Sequence, residues 1–201
     1  MGIMTFLGNL ASNTQFHKTP LWITYKPQQH RVNADQIRTI LESLEEGDIF
    51  LSKHNGYKSN SLIPGFYNHV GLYVGENKIV HSIGEGVVKY DILKFLRCDS
   101  VAQLRYNGAD GLKEHACEKA LELYKAGTKY DYTFTKGNES FYCSELINKC
   151  YKHIFDHLFK HVKSKWIPRF IVRKIIKEEI IIPQSLYDNE PRLEKINEFR
   201  N

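Results

Sequence analysis

At 201 residues the chain is long enough to bury one domain-sized core and too short for two large ones. Its 42% hydrophobic, 12% aromatic and 25% charged residues fall in the globular range, which excludes collagen-like, low-complexity and wholly disordered chains. The net charge of +5 is concentrated: residues 152–177 hold eight Lys/Arg against Asp156 alone, and residues 178–201 hold three basic and six acidic groups.

No uninterrupted apolar run approaches the roughly 20 residues of a membrane-spanning helix, and the opening MGIMTFLGNLASN has no basic stretch before its apolar patch. Neither an export signal nor a transmembrane span is expected. A myristoylation signal is not expected either, because Phe6 stands where Ser or Thr is required. The four cysteines, Cys98, Cys117, Cys143 and Cys150, form no CxxC pair, so the expectation is free thiols in a reducing, cytoplasmic setting.

In chain order, residues 1–32 carry Pro20, Pro27 and scattered aromatics without periodicity and read as an N-terminal arm. Asn33, with Gln36 three residues on, has the form of a capping box, and Ile37, Ile40, Leu41 and Leu44 follow at helical spacing until Glu46 and Gly47. Residues 48–53 (DIFLSK) read as a strand. NHVGLYVGENKIVHS reads as a hairpin turning at Gly75, Glu76 and Asn77. Residues 87–90 and 101–106 are further strands, separated by a short helix in DILKFL. An amphipathic helix begins at Asp110, carries Leu112, Ala116, Ala120, Leu121 and Tyr124 on one stripe and closes at Gly127. A last helix is predicted to start near Tyr142 and to run through Leu146, Ile147, Cys150, Tyr151, Ile154, Phe155 and Leu158. Strands in the middle and helices at both ends make an α+β fold with a central antiparallel sheet and no internal repeat.

The hairpin supplies the first chemical inference. A turn centred on Gly75 pairs Gly71 with Ile79 and His69 with His81, so two imidazoles share one face while Val70, Leu72 and Val74 line the other. Cys143, in SFYCSELI, begins a helix, where unpaired N–H groups and the helix dipole favour a thiolate. A neutral His accepts a thiol proton, and a polar group on its other ring nitrogen fixes the tautomer. Cys143, His69 and His81 suit these three roles, although by pattern alone an inert buried Cys and two half-exposed histidines fit better, and a zinc site from the same trio lacks a fourth ligand.

GDIFLS, IPGFYNHVGLYVGENKIVHSIGEGVV, DILKFLRCDSVAQLR, GTKYDYTF and FYCSELI together resemble the YiiX/YebB-like group of permuted NlpC-type, papain-like cysteine hydrolases, over roughly residues 33–155 in unbroken order. The closing IIIPQSLYDN resembles the group's C-terminal Pro-containing turn and short helix. The resemblance implies a circularly permuted papain-like core at 33–155 in a single domain, with a basic helical segment and C-terminal segment at 156–201. It implies Cys143 as nucleophile, His69 as base and His81 as orienting group, the second His being shared with lecithin:retinol acyltransferase-like relatives. Some members orient the base with a carboxylate, which makes Glu85 the fallback.

Around this trio, Tyr142 or the Cys143 N–H can face an oxyanion, Lys136 can reach an anionic substrate group, and Tyr130 and Asp131 order the approach to the Cys helix. His153, His157 and His161 recur every four residues but lack a carboxylate or second motif for a metal. KWIPRFIVRKIIK mixes Trp166 and Phe170 with basic groups, compatible with an anionic membrane surface met through 160–177. Nucleic acid is not an expected partner, because the basic segment carries no recognised binding fold. The reading is a thiol hydrolase of the amidase or peptidase kind, forming an acyl-enzyme from a small-molecule, peptide or lipid acyl substrate, with no cofactor. Its rivals are a lipid-directed acyltransferase or acyl hydrolase at a membrane, and a binding module of the same fold with the triad unused.

Overall fold

The computed structural model describes residues 31–55, 63–109, 111–132, 139–158 and 180–201. The first helix, α1 (Ala34–Glu42), starts as its sequence dictates: Asn33 Oδ1 accepts the Gln36 N–H at 3.0 Å, and Gln36 Oε1 accepts the Asn33 N–H at 3.0 Å. Then follow β1 (Ile49–Lys53), β2 (His69–Tyr73), β3 (Lys78–Ile83), β4 (Gly86–Asp91), the one-turn helix α2 (Ile92–Phe95) capped by Asp91, and β5 (Ser100–Tyr106). Two longer helices, α3 (Leu112–Lys125) and α4 (Cys143–Cys150), precede α5 (Pro183–Asn189) and β6 (Leu193–Phe199). The six strands form one antiparallel sheet in the order β4-β3-β2-β1-β5-β6.

Period-two alternation sends the strand side chains into two separate cores. Leu51, Val70, Leu72, Val80 and Leu104 face α3 and α4, meeting Ala116, Ala120, Leu146 and Ile147. Phe50, Tyr73, Ile79 and Val101 face the other way, onto Ile40 of α1 and Ile92, Phe95 and Leu96. The sheet is thus covered by helices on both faces. One buried polar network ties β1 to β5: Asp48, fully buried, accepts from Arg105 Nε at 2.8 Å, Arg105 Nη2 at 2.9 Å and Gln103 Nε2 at 2.7 Å. Asp48 is satisfied from several sides, as a buried carboxylate must be.

Three sequence expectations need correction. The hairpin register pairs Leu72 with Val80 and Tyr73 with Ile79, two residues off the expected pairing. The even shift keeps His69 and His81 on one face but makes them diagonal neighbours, with Gly71 opposite His81. Gly75, Glu76 and Asn77 all take positive φ (83°, 50° and 57°), which makes a longer turn than a tight centre on Gly75 would.

The Cys helix also ends earlier than its apolar stripe suggests. Lys152 and His153 adopt left-handed φ of 50° and 62°, and Asn148 caps the break by accepting the Phe155 N–H at 3.0 Å and donating to Asp156 at 2.7 Å. Ile154, Phe155 and Leu158 reach the core by this reversal, so His153 and His157 do not share a helix face with Cys150.

The third correction is β6, which completes the sheet from outside the stretch 33–155 expected to form the core. Its apolar residues Leu193, Ile196 and Phe199 are spaced by three, because the register shifts between Gln103 and Leu104 and a bulge absorbs one residue. The arm at 1–30, Lys136, His161 and the basic-aromatic stretch with Trp166 and Phe170 lie outside the described residues. Among the described residues no helix is long and apolar enough to cross a membrane.

Candidate active site

Cys143 is the first residue of α4 and is 4% exposed. Two hydrogen bonds fix the stretch that delivers it: Ser82 Oγ of β3 donates to the Phe141 carbonyl at 2.6 Å, and the Phe141 N–H donates to the Lys129 carbonyl at 3.1 Å. Cys143 Sγ is turned to the sheet, where the Val70 N–H and the Ser144 N–H bond to it, and Ser144 Oγ lies 3.8 Å away. These donors favour a thiolate, as expected at a helix N-terminus, but burial outweighs them and raises the thiol pKa above its ordinary value. Burial therefore favours the neutral thiol at Cys143, against the thiolate expected from helix position alone.

His69 opens β2 immediately before Val70, so the residue that bonds the sulfur and the residue offered as its base are chain neighbours. The His69 and His81 side chains meet directly, with His69 Nε2 and His81 Nδ1 2.7 Å apart. Phe95 of α2 packs against both rings, at centroid distances of 5.7 and 5.4 Å, and Tyr90 packs on His81 at 4.8 Å. Gly71 makes this possible: a Cβ there would stand 2.9 Å from Ile79 and 3.0 Å from Phe95. Burial holds both imidazoles neutral, lowering His69 far below its usual value and His81 to about 3, with charge on His54 and neighbouring cations adding to the effect. Both rings lie with Phe95 on the α1 and α2 face of the sheet, whereas Cys143 packs with Val70 on the α3 and α4 face, so the structure brings the two histidines together, and among the described residues no hydrogen bond joins His69 to Cys143.

The remaining sequence candidates fall into place unevenly. Glu85 sits in the exposed turn between β3 and β4, and the contact to His69 is made by His81 instead. Tyr142 is buried and its hydroxyl accepts the Ile181 N–H at 3.2 Å, binding the C-terminal segment to the helix start. Three neighbours take places that the sequence reading did not give them. His54, just past β1, has its Nε2 3.3 Å from Ser52 Oγ and acts electrostatically on both site histidines. Tyr130, read from sequence as an ordering residue, lines the same small cavity as Cys143, and burial raises its phenol pKa. Residues 180–183 form a wall over Cys143 together with Ile63, Tyr130, Tyr142 and Ser144, enclosing a cavity of about 10 Å³.

The chain has known relatives. Residues 43–197 match the model of the permuted papain-like amidase enzymes of the YaeF/YiiX kind. The chain belongs to that family. The match runs through β6, consistent with the sixth strand being part of the core. A solved structure described as the metalloprotein yiiX of Escherichia coli O157:H7 has the same fold, with a TM-score of 0.61 and 16% sequence identity over 78% of this chain and 98% of that one. No curated protein sequence matches the chain. The permuted papain-like fold is therefore shown, and membership of an amidase family supports activity of the thiol hydrolase kind.

Proposed function

We propose that this member is a working cysteine hydrolase in which Cys143 attacks an acyl carbon, His69 moves the proton and His81 holds His69 in place. The observation that carries the reading is the 2.7 Å contact between His69 Nε2 and His81 Nδ1, made next to the residue whose N–H bonds the Cys143 sulfur. With His69 Nε2–H donating to His81 Nδ1, His69 Nδ1 is the nitrogen left to accept the thiol proton. As that proton moves, the S–C bond forms and the tetrahedral oxyanion is held by N–H groups at the start of α4. The leaving amine takes the proton from His69 as its bond to carbon breaks. Water then gives a proton to His69, attacks the thioester, and releases the acid while the thiol regains its proton. By family the bond is an amide, and the same steps cleave an ester.

The yiiX protein is described as a metalloprotein, and that property is not carried over to this chain. Among the described residues no group of three His, Cys, Asp or Glu side chains is placed to hold a metal ion, and the facing nitrogens of His69 and His81 are committed to each other. Membrane-directed acyl transfer draws on residues 160–177, which lie outside the described residues, and an unused triad is the reading that absence of turnover would favour. The test is turnover of a panel of acyl amides and esters by wild type, Cys143→Ala and His69→Ala. The reading expects hydrolysis that Cys143→Ala abolishes and His69→Ala lowers about 10²–10⁴-fold. Hydrolysis that persists in Cys143→Ala would place the activity elsewhere.

A further inference from the structure

Where β5 gives way to α3, a half-open cavity of about 460 Å³ is lined by the side chains of Tyr106, Asn107, Lys113 and Glu114 and by backbone at Gly108 and Gly111. It lies away from Cys143: the Tyr106 ring packs at 5.5 Å on Tyr151, the residue that closes α4 at the end opposite the cysteine. Tyr106 is 6% exposed, yet its hydroxyl has no hydrogen-bond partner among the described residues. The loop that lines the cavity runs against this hydroxyl, since a Cβ at Gly108 would collide with Tyr106 Oη. A nearly buried phenol left without a partner is an uncommon arrangement, and a ligand oxygen in the cavity would satisfy it. α3 starts on the same wall with an open first turn. Gly111 holds the N-cap position at φ 77° and supplies no side-chain cap. The helix bonds begin with the His115 N–H on the Gly111 carbonyl at 3.1 Å, and the N–H groups before it have no intrahelical partner. Lys113 adds an ammonium, half-buried and 3.3 Å from Glu45 Oε2, while Glu114 is the one acidic side chain among the described lining residues.

We infer that this cavity is a second binding site, separate from Cys143, for a small zwitterion of the α-amino-acid class. The ligand carboxylate takes the first-turn N–H groups of α3, the Tyr106 hydroxyl and Lys113, and the ligand ammonium faces Glu114. A plain anion such as phosphate meets the Glu114 carboxylate along with these donors. A plain cation meets Lys113 and the positive end of the helix. Only a ligand carrying both charges finds a partner for each. The volume of about 460 Å³ lies within the roughly 300–1,000 Å³ usual for small-molecule sites. Binding makes and breaks no covalent bond and does not depend on the hydrolase reading. The site uses no part of Asp110, which lies outside the described residues.

Amide chemical-shift titrations of the whole chain test this, with L-alanine, acetate, inorganic phosphate and methylamine as separate probes. L-alanine should shift the amides of Gly111, Leu112, Lys113 and Glu114 saturably, and bind at least about tenfold more tightly than acetate or phosphate, with methylamine weakest. Tyr106→Phe removes a hydroxyl that no described residue uses, so it should keep the melting temperature and weaken L-alanine about tenfold or more. Glu114→Gln should bring L-alanine down to the affinity of acetate. Acetate or phosphate bound as tightly as L-alanine by the wild type would overturn the zwitterion. L-alanine bound equally well by Tyr106→Phe would overturn the part given to the hydroxyl, and the absence of a saturable shift with every probe would overturn the site.

Discussion

Cys143 is approached from two sides that are built in different ways. The hairpin of β2 and β3 is local: two strands joined by a short turn fix His69, Val70 and His81 within thirteen residues, and the register alone decides which side chains meet. The C-terminal segment comes from far along the chain, and its hold on the site is a docking contact, the Ile181 N–H on Tyr142 Oη across 39 positions. The contrast teaches a division of labour. The histidine pair lies on the part whose geometry the sheet over-determines, and the cover over Cys143 comes from a part docked across the fold.

The hairpin side is the more costly to break. His69 and His81 are neutral when folded but titrate near 6.5 when unfolded, so below that pH the unfolded chain takes up protons that the native one refuses until about pH 3 at His81. Stability is full above pH 6.5 and falls as pH drops, by up to about 1.4 kcal/mol per pH unit for each histidine. Urea denaturation at pH 7.5 and pH 5 reads this directly, and His81→Asn should flatten the slope; an unchanged slope in that variant would place the acid lability elsewhere.

Smaller is the effect of filling Gly71. Gly71→Ala puts a Cβ 2.9 Å from Ile79 and 3.0 Å from Phe95, which must give way, at a cost of about 1–3 kcal/mol. Because Phe95 packs on both site histidines, activity should fall with stability, and a variant that loses stability with full activity would show the ring to be dispensable. Smallest is the break on the other side. Tyr142→Phe removes the acceptor of the Ile181 N–H at about 1 kcal/mol, since a water can replace the hydroxyl in the cavity it lines. Thermal denaturation should show a drop of a few degrees, with the pH dependence of stability unchanged, and an unchanged melting temperature would show the contact to be dispensable.

The sequence carried the hairpin side well and the other side poorly, for physical reasons. Asn33 and Gln36 announce their cap, and alternation across residues 69–74 announces the strand, because both signals are local. The histidine pair survived an error in the turn because the register moved by an even number. Leu193, Ile196 and Phe199 hid β6, since a bulge opposite Gln103 and Leu104 turned a two-residue period into a three-residue one. Cys150 looked like the middle of a helix because the reversal at Lys152 and His153 needs left-handed backbone that no glycine advertises. The resting state of Cys143 was misread for a related reason: helix position is visible in a sequence, but the burial that raises its thiol comes from β2 and residues 180–183.

The central claim is that Cys143 becomes acylated through His69. Rapid acid quench followed by peptide mass mapping, with wild type and His69→Ala treated with the same activated acyl ester, tests it most directly. The account predicts an acyl group on Cys143 and not on buried Cys98, Cys117 or Cys150, formed about 10²-fold or more slowly without His69. Equal rates in the two proteins, or acyl groups spread over all four thiols, would contradict it.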